Sequence, residues 1–343
     1  MSGGNSGNQP DGGGGPVKRS GQGVVVRAGA GAAVGTVQTR GARAVKALKL
    51  ARKNWVLYAF LIPCLAYVII FNYVPMYGVQ IAFRDFAASK GIWGSDWVGL
   101  KHITRFLSSY HFMTLLKNTL TLSVYSLVAG FPMPIILAFV LNYTTFRRFR
   151  KFAQTATYAP HLISTVVIVG MLLTFMQGGG VFNQLLAKIG VDPVLWTGTP
   201  KLFPHIYVWS GIWQGTGWSS IIYIAVLAGV SSELHEAAIV DGANILHRIW
   251  YIDFAELLPT VVILLIMNLG QVMSVGFEKV FLLQNPVNLE TSEVIATYVY
   301  KTGIQGAQYS FSAAVGLFNN LVNIVLLVIV NKVADVVTGS SLW

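Results

Sequence analysis

An all-α membrane protein with six transmembrane helices is the fold class this sequence predicts, and three observations predict it. The 343 residues are 54% hydrophobic and only 11% charged, where a soluble domain carries about 25% charged residues. The apolar residues fall in six runs, at about 55–74, 115–141, 157–177, 203–229, 258–277 and 311–331, each near the roughly 20 residues that a bilayer-spanning helix needs. None of these runs alternates with the period of two that a barrel strand requires. Backbone hydrogen bonds satisfied within lipid then mean helices.

Charge sets the expected orientation. Lys18, Arg19, Arg27, Arg40, Arg43, Lys46, Lys49, Arg52 and Lys53 precede the first run, and Arg147, Arg148, Arg150 and Lys151 lie between the second and third. Together these exceed the whole net charge of +11. Basic loops stay in the cytoplasm, so the N-terminus is expected inside, and six crossings return the C-terminus inside. The polar stretch between runs four and five is cytoplasmic by the same count. Basic charge placed in this way reports topology beside a lipid bilayer and implies no nucleic-acid partner.

The elements follow in order. Residues 1–50 read as a basic, Gly-rich cytoplasmic tail with too little apolar surface to fold. The tail has no apolar h-region, so no cleavable signal is expected. Residues 51–343 read as one six-helix permeation domain. The single cysteine, Cys64, lies in the first span, which excludes an intrachain disulfide and a cysteine metal cluster. An external segment, 75–111, carries Phe83, Phe86, Trp93, Trp97 and Phe106, aromatics suited to the membrane interface. Pro132 and Pro134 are expected to kink span two or leave a discontinuity in it. A basic loop, 144–151, precedes span three, and the external loop 178–202 is expected to hold a short amphipathic helix at 182–189. Span four is rich in Gly, Trp and small polar residues. Glu278 and Lys279 sit just past span five on the outer side, where a solvated pair is expected. Asn331, Lys332 and Asp335 close span six. No internal repeat is evident, which argues against an inverted-repeat secondary transporter.

The loop at 231–259 stands out. Ser231 or Ser232 can N-cap a helix. Glu233 and Glu236 then fall in its first turns, where carboxylates favour the helix dipole. Ala237 and Ala238 are small enough for a partner to approach closely. Gly242 can form a tight turn. A second helix at about 244–256 would place Ile245, Ile249 and Ile252 on one stripe. The pattern predicts a helix–turn–helix knob with an acidic first limb.

Catalytic motifs are missing. His235-Glu236 opens an H-E-x-x-H pattern, but Ile239 occupies the final position, so no two-histidine zinc face forms. No Gly-Lys-Ser or Gly-Lys-Thr phosphate loop and no G-x-S-x-G elbow occurs. No catalytic, metal or cofactor site is expected on this chain, and any ATP must be hydrolysed on another. The polar cluster Trp213, Gln214, Trp218, Asn268 and Gln271 has two readings. Amides and rings suit sugar hydroxyls and sugar faces, while the same side chains serve as interhelical glue for ~0.6–2 kcal/mol each. No Asp, Glu, Lys or Arg is expected deep in a span, which favours an external engine over ion coupling.

Several strings resemble the permeases of bacterial ABC importers for carbohydrates. The loop EAAIVDGANILHRIWYIDFAELLP (236–259) is similar to their coupling loop, E-A-A-x3-G-x9-I-x-L-P, at Glu236, Ala237, Ala238, Gly242 and Ile252. Phe254 and Ala255 stand where that pattern has Leu-Pro, and the proline comes later, at Pro259. WVGLKHITRFL, YAPHLISTVVIVGMLL, GIWQGTGWSSIIYIAVL and VGFEKVFLLQNP resemble the branch that handles oligosaccharides from plant or algal polysaccharides. The resemblance covers roughly 55–335. It implies a MetI-like type I permease in the bacterial cytoplasmic membrane, paired with a second, homologous permease. Two ATPase subunits, holding the ATP and Mg, would dock at the coupling loop through Glu236, Ala237, Ala238, Asp241, Gly242 and Ile252. An extracytoplasmic solute-binding protein would deliver an oligosaccharide. Two alternatives stay open from the residues alone: an ABC permease for a non-sugar solute, and a stand-alone secondary transporter or membrane enzyme.

Overall fold

The computed structural model describes residues 53–339, 341 and 342, so the tail expected at 1–50 lies outside the described residues. The chain divides into two compact units, Met1–Tyr67 and Val68–Trp343. Among the described residues of the first, Trp55–Tyr67 are helical and almost wholly exposed. The loop and the cavity considered below belong to the second.

In chain order the elements are α1 (Trp55–Val68), a two-strand hairpin of β1 (Arg84–Asp85) and β2 (Asp96–Trp97), α2 (Lys101–Leu107), α3 (Phe112–Gly130) and α4 (Pro132–Tyr143). They continue with α5 (Arg147–Tyr158), α6 (Thr165–Phe175), α7 (Val181–Lys188), α8 (Phe203–Leu227), α9 (Ser232–Val240) and α10 (Ile245–Arg248). The last are α11 (Phe254–Leu269), α12 (Phe277–Leu283), α13 (Ile295–Tyr300) and α14 (Tyr309–Thr338). α7 meets the expectation of a short helix near 182–189.

Among the described residues, four helical runs are long and apolar enough to cross a membrane: Trp55–Phe83, Phe112–Tyr143, Ile245–Leu269 and Tyr309–Val336. Two bent pairs raise that number to six if each is counted as one span. The proline pair in span two leaves a break of one residue. Phe131 between α3 and α4 keeps α-helical angles, φ −62° and ψ −39°.

Span three departs from the continuous 157–177 helix expected. Arg147–Leu162 and Thr165–Phe175 meet at a bend of 100°. Pro160 closes the first limb in a 3-10 turn. Ile163 and Ser164 are extended, and the Ser164 hydroxyl caps α6 by accepting from the Val167 amide at 3.4 Å. α6 rises only about 17 Å, short of a hydrocarbon core roughly 30 Å thick.

Span five differs as well. Its helix starts at Ile245 rather than 258, passing through a π turn at Ile249–Asp253. With Phe254 and Ala255 in place of Leu-Pro, nothing breaks the helix before Pro259, which sits inside α11. The second limb of the loop is therefore the start of span five and not a separate helix.

α8 packs against α3, α4 and α5. Three apolar clusters hold the unit together, represented by Leu122, Val169 and Val280, by Phe106, Leu115 and Phe311, and by Ala138, Tyr223 and Leu257. Phe106, expected at the interface, is instead fully buried against Phe112, Phe311 and Phe318. Burying a ring of this size removes a large apolar area from solvent. The hairpin is pinned beside α2 by Asp85, whose carboxylate meets Lys101 at 2.6 Å and His102 at 2.9 Å. The Lys101 hydrogen bond holds the Asp85 carboxyl below its ordinary pKa, against desolvation. Leu321, Ile324, Val325, Val328 and Ile329 of α14 remain 48–59% exposed. An apolar stripe left uncovered on this scale suits lipid rather than water.

Gly217 shows how tightly α8 is seated, because a Cβ there would run into the Thr157 carbonyl of α5. Gly217→Val is expected to cost about 1–3 kcal/mol by overpacking. A lowered melting temperature of the detergent-purified protein would report it, and an unchanged one would refute the tight seat.

Candidate functional site

The loop between spans four and five folds as a capped helix and a sharp turn. The Ser231 hydroxyl caps α9 by accepting from the Glu233 amide at 3.2 Å. At the other end Asp241 is the C-cap, and Gly242 follows with φ +80°. The Gly242 amide donates to Ile239 O at 3.0 Å and the Ala243 amide to Ala238 O at 2.8 Å. These paired bonds form a Schellman closure, which puts glycine in the left-handed position for lack of a Cβ penalty. Asn244 then caps α10, its Oδ1 accepting from the His247 amide at 2.8 Å.

Glu236, Ala237, Asp241 and Gly242 are exposed, Ala238 and Ile252 half-buried. Val240, Leu246 and Tyr251 are 86%, 73% and 73% exposed. Exposed apolar side chains around an acidic helix form a surface suited to a protein partner. Ile249 and Ile252 are half-buried while Ile245 is exposed, so the expected stripe is only partly inward.

Asp253 anchors this knob, and sequence reasoning passed over it. It is fully buried at the end of the π turn. One carboxylate oxygen accepts from the Tyr143 hydroxyl of α4 at 2.6 Å, and the other lies 3.3 Å from His235 Nε2 of α9. The Arg248 guanidinium sits over the Tyr143 ring, 5.7 Å from its centroid. One carboxylate thus joins the knob's first limb, its second limb and the end of span two. Oδ1 makes no hydrogen bond among the described residues, so the link to α9 is the close polar approach to His235 alone. The signal available in the sequence was a lone acid among Trp250, Tyr251, Ile252 and Phe254.

A cavity of about 760 Å³ opens between α3, α4, α8 and α11 and the segment leading into α12, a size suited to small ligands. Gln214, Trp218, Asn268 and Gln271 line it, with Ser123, Ser126 and Ser274. Trp213, predicted alongside them, is not among the lining residues and stands half-exposed. Gln214 also donates to Ile163 O at 3.3 Å, tying the break in span three to the cavity wall. The Trp218 ring stacks on His161 at 4.8 Å between centroids. Other intramembrane amides act as glue. Asn118 donates to Glu290 O and Glu293 O, and Asn323 bonds the Met273 amide and the Ser274 hydroxyl.

Lys279 corrects the expectation of a solvated Glu278–Lys279 pair. Glu278 is exposed, but Lys279 is 8% exposed and lines the cavity. Its Nζ donates to Tyr207 O at 3.1 Å. Asp253 and Lys279 are two buried ionisable groups where none was expected, each brought inside by a helix that starts or packs differently from the hydropathy pattern.

Comparison with known proteins bears on this arrangement. A family model described as "Binding-protein-dependent transport system inner membrane component" matches residues 130–335. The "Polygalacturonan/rhamnogalacturonan transport system permease protein YteP" of Bacillus subtilis (strain 168) is 39% identical over 288 residues, 84% of this chain and 89% of that protein. The "Arabinooligosaccharides transport system permease protein AraP" of the same organism is 27% identical over 286 residues, 82% of this chain and 88% of that protein. Among solved structures, a chain of a bacterial ABC transporter involved in the import of the acidic polysaccharide alginate aligns with TM-score 0.79 and 39% identity. That alignment covers 85% of this chain and 99% of the other. A bacterial alginate ABC transporter in complex with an alginate pentasaccharide-bound periplasmic protein aligns with TM-score 0.79 and 38% identity, covering 86% and 99%.

Proposed function

This chain belongs to the binding-protein-dependent transport system inner membrane components and is a permease of the sugar- and polysaccharide-importing ABC kind; from that premise we propose that its cargo is an acidic oligosaccharide. The near-complete match to a chain of the alginate importer carries this reading. YteP, named for polygalacturonan and rhamnogalacturonan, is 39% identical, whereas AraP, named for arabinooligosaccharides, is 27% identical.

In this reading the chain crosses the bacterial cytoplasmic membrane six times with both termini inside. It pairs with a second, homologous permease, and a solute-binding protein delivers the oligosaccharide from outside. Two ATPase subunits holding ATP and Mg dock at the loop, where Glu236 pairs with a basic side chain and Ala237, Ala238, Asp241, Gly242 and Ile252 shape the contact. ATP binding closes the ATPase pair and draws the docked loops together, opening the cavity outward. Hydrolysis resets it inward. Because Ile245–Leu269 is one unbroken helical run, a displacement at the loop is carried about 35 Å along it to Asn268 on the cavity wall.

Purification from the native membrane with mass spectrometry of the co-purifying proteins tests the assembly. A second permease and a Walker-motif ATPase are the expected companions. A chain that purifies alone, and transports without ATP in proteoliposomes, would overturn the reading in favour of a solitary transporter.

A further inference from the structure

Lys279 is the only lysine, arginine, histidine or carboxylate side chain lining the cavity among the described residues. Its ammonium carries three N–H donors. One goes to Tyr207 O at 3.1 Å, and the Tyr207 ring centroid lies 5.3 Å from Nζ. The other two have no acceptor among the described residues, and Lys279 makes none of the ion pairs found there. The approach to Nζ is kept open by Gly211, where a Cβ would stand 3.3 Å away. Around it lie the neutral groups of Ser123, Ser126, Gln214, Asn268, Gln271 and Ser274.

A buried cation without a counter-ion is costly, and the cost falls when an anion arrives. Neutral hydroxyls and amides bond a polyol but leave that charge uncompensated. The ligand that completes both sets is a polyol bearing a carboxylate. We propose that Lys279 is the carboxylate-binding, specificity-determining residue of this cavity, meeting a uronate of the oligosaccharide in transit. The proposal rests on the acidic-oligosaccharide reading above. A lysine suits this role because it is a compact point charge on a flexible stem, and a translocation site must release what it binds. The competing role is a pin of α12 onto α8 through Tyr207 O, which a neutral amide would also fill.

The test uses the complete importer in proteoliposomes, with its partner permease, ATPases and binding protein. The probes are a galacturonate trisaccharide and a neutral arabinose trisaccharide. In Lys279→Gln, galacturonate uptake is expected to fall at least about tenfold while binding-protein-stimulated ATP hydrolysis stays within about twofold of wild type. Lys279→Arg is expected to retain most uptake. Unchanged uptake in Lys279→Gln, or equal loss of uptake and ATP hydrolysis in both variants, overturns the proposal. If the Lys279 variants do not assemble, Ser274→Asp decides. A carboxylate on the same wall is expected to suppress galacturonate uptake, and wild-type uptake there also overturns the proposal. A wild-type importer that moves the arabinose probe and not galacturonate refutes the acidic cargo itself, and Lys279 recognition with it.

Discussion

Glu236→Ala and Gly242→Pro are each expected to abolish ATP-driven uptake while leaving the permease inserted in the membrane. Glu236 is exposed on α9, so its truncation has little to disturb within this chain. Surface substitutions of this kind usually stay within about ±0.5 kcal/mol of wild-type stability. Loss of uptake from such a change therefore reports a contact with another chain. Gly242 acts through the backbone. Its φ of +80° is closed to proline, and its amide donates to Ile239 O at 3.0 Å, a bond proline cannot make. Gly242→Pro must open the Schellman closure and redirect Asn244 and α10. Gly242→Ala keeps the amide and pays about 1–2 kcal/mol of left-handed strain, so it should retain part of the uptake. Uptake assays combined with pull-down of the ATPase check these outcomes. Wild-type transport by both Glu236→Ala and Gly242→Pro would remove the docking assignment.

The second large effect is expected at Asp253. In Asp253→Ala the Tyr143 hydroxyl loses its 2.6 Å acceptor and His235 loses its 3.3 Å neighbour. The Tyr143 hydroxyl is only part-buried, so its loss of a partner is expected to cost no more than about 1–3 kcal/mol. The functional cost is expected to exceed the loss of stability, because Asp253 of the π turn accepts from Tyr143 at the end of α4 and lies against His235 of α9. With that joint slack, the loop can move without moving the cavity wall. ATP hydrolysis is then expected to continue with fewer sugars moved per ATP. Asp253→Asn keeps an oxygen for Tyr143 and should fall between the alanine variant and wild type. The check is the ratio of uptake to ATP hydrolysis, read beside the melting temperature. An alanine variant with wild-type coupling would show that the joint is not needed.

Much of the loop was readable from the chain. Ser231 as a cap and Gly242 as a turn follow from side-chain oxygen chemistry and from a missing Cβ, and both depend on residues within a few positions of one another. The helical character of the long apolar runs was readable for the same reason. The second limb, expected from its isoleucine spacing as a separate helix at about 244–256, has no breaker at its end: Phe254 and Ala255 let the helix propagate into span five. Span three was read as continuous because Pro160, Ile163 and Ser164 look tolerable in an apolar run. Their combined effect is a turn of 100°.

By itself the sequence determined a mostly helical protein with long apolar runs and a capped knob between two of them, because hydropathy, capping and turn chemistry are local and additive along the chain. Only the tertiary structure decided which polar groups share a space. Gln214, Trp218, Asn268 and Gln271 come together while Trp213 turns away, Asp253 meets a tyrosine 110 positions earlier, and Lys279 enters the cavity instead of the solvent. Those outcomes rest on where whole helices pack, and no window of neighbouring residues contains that information.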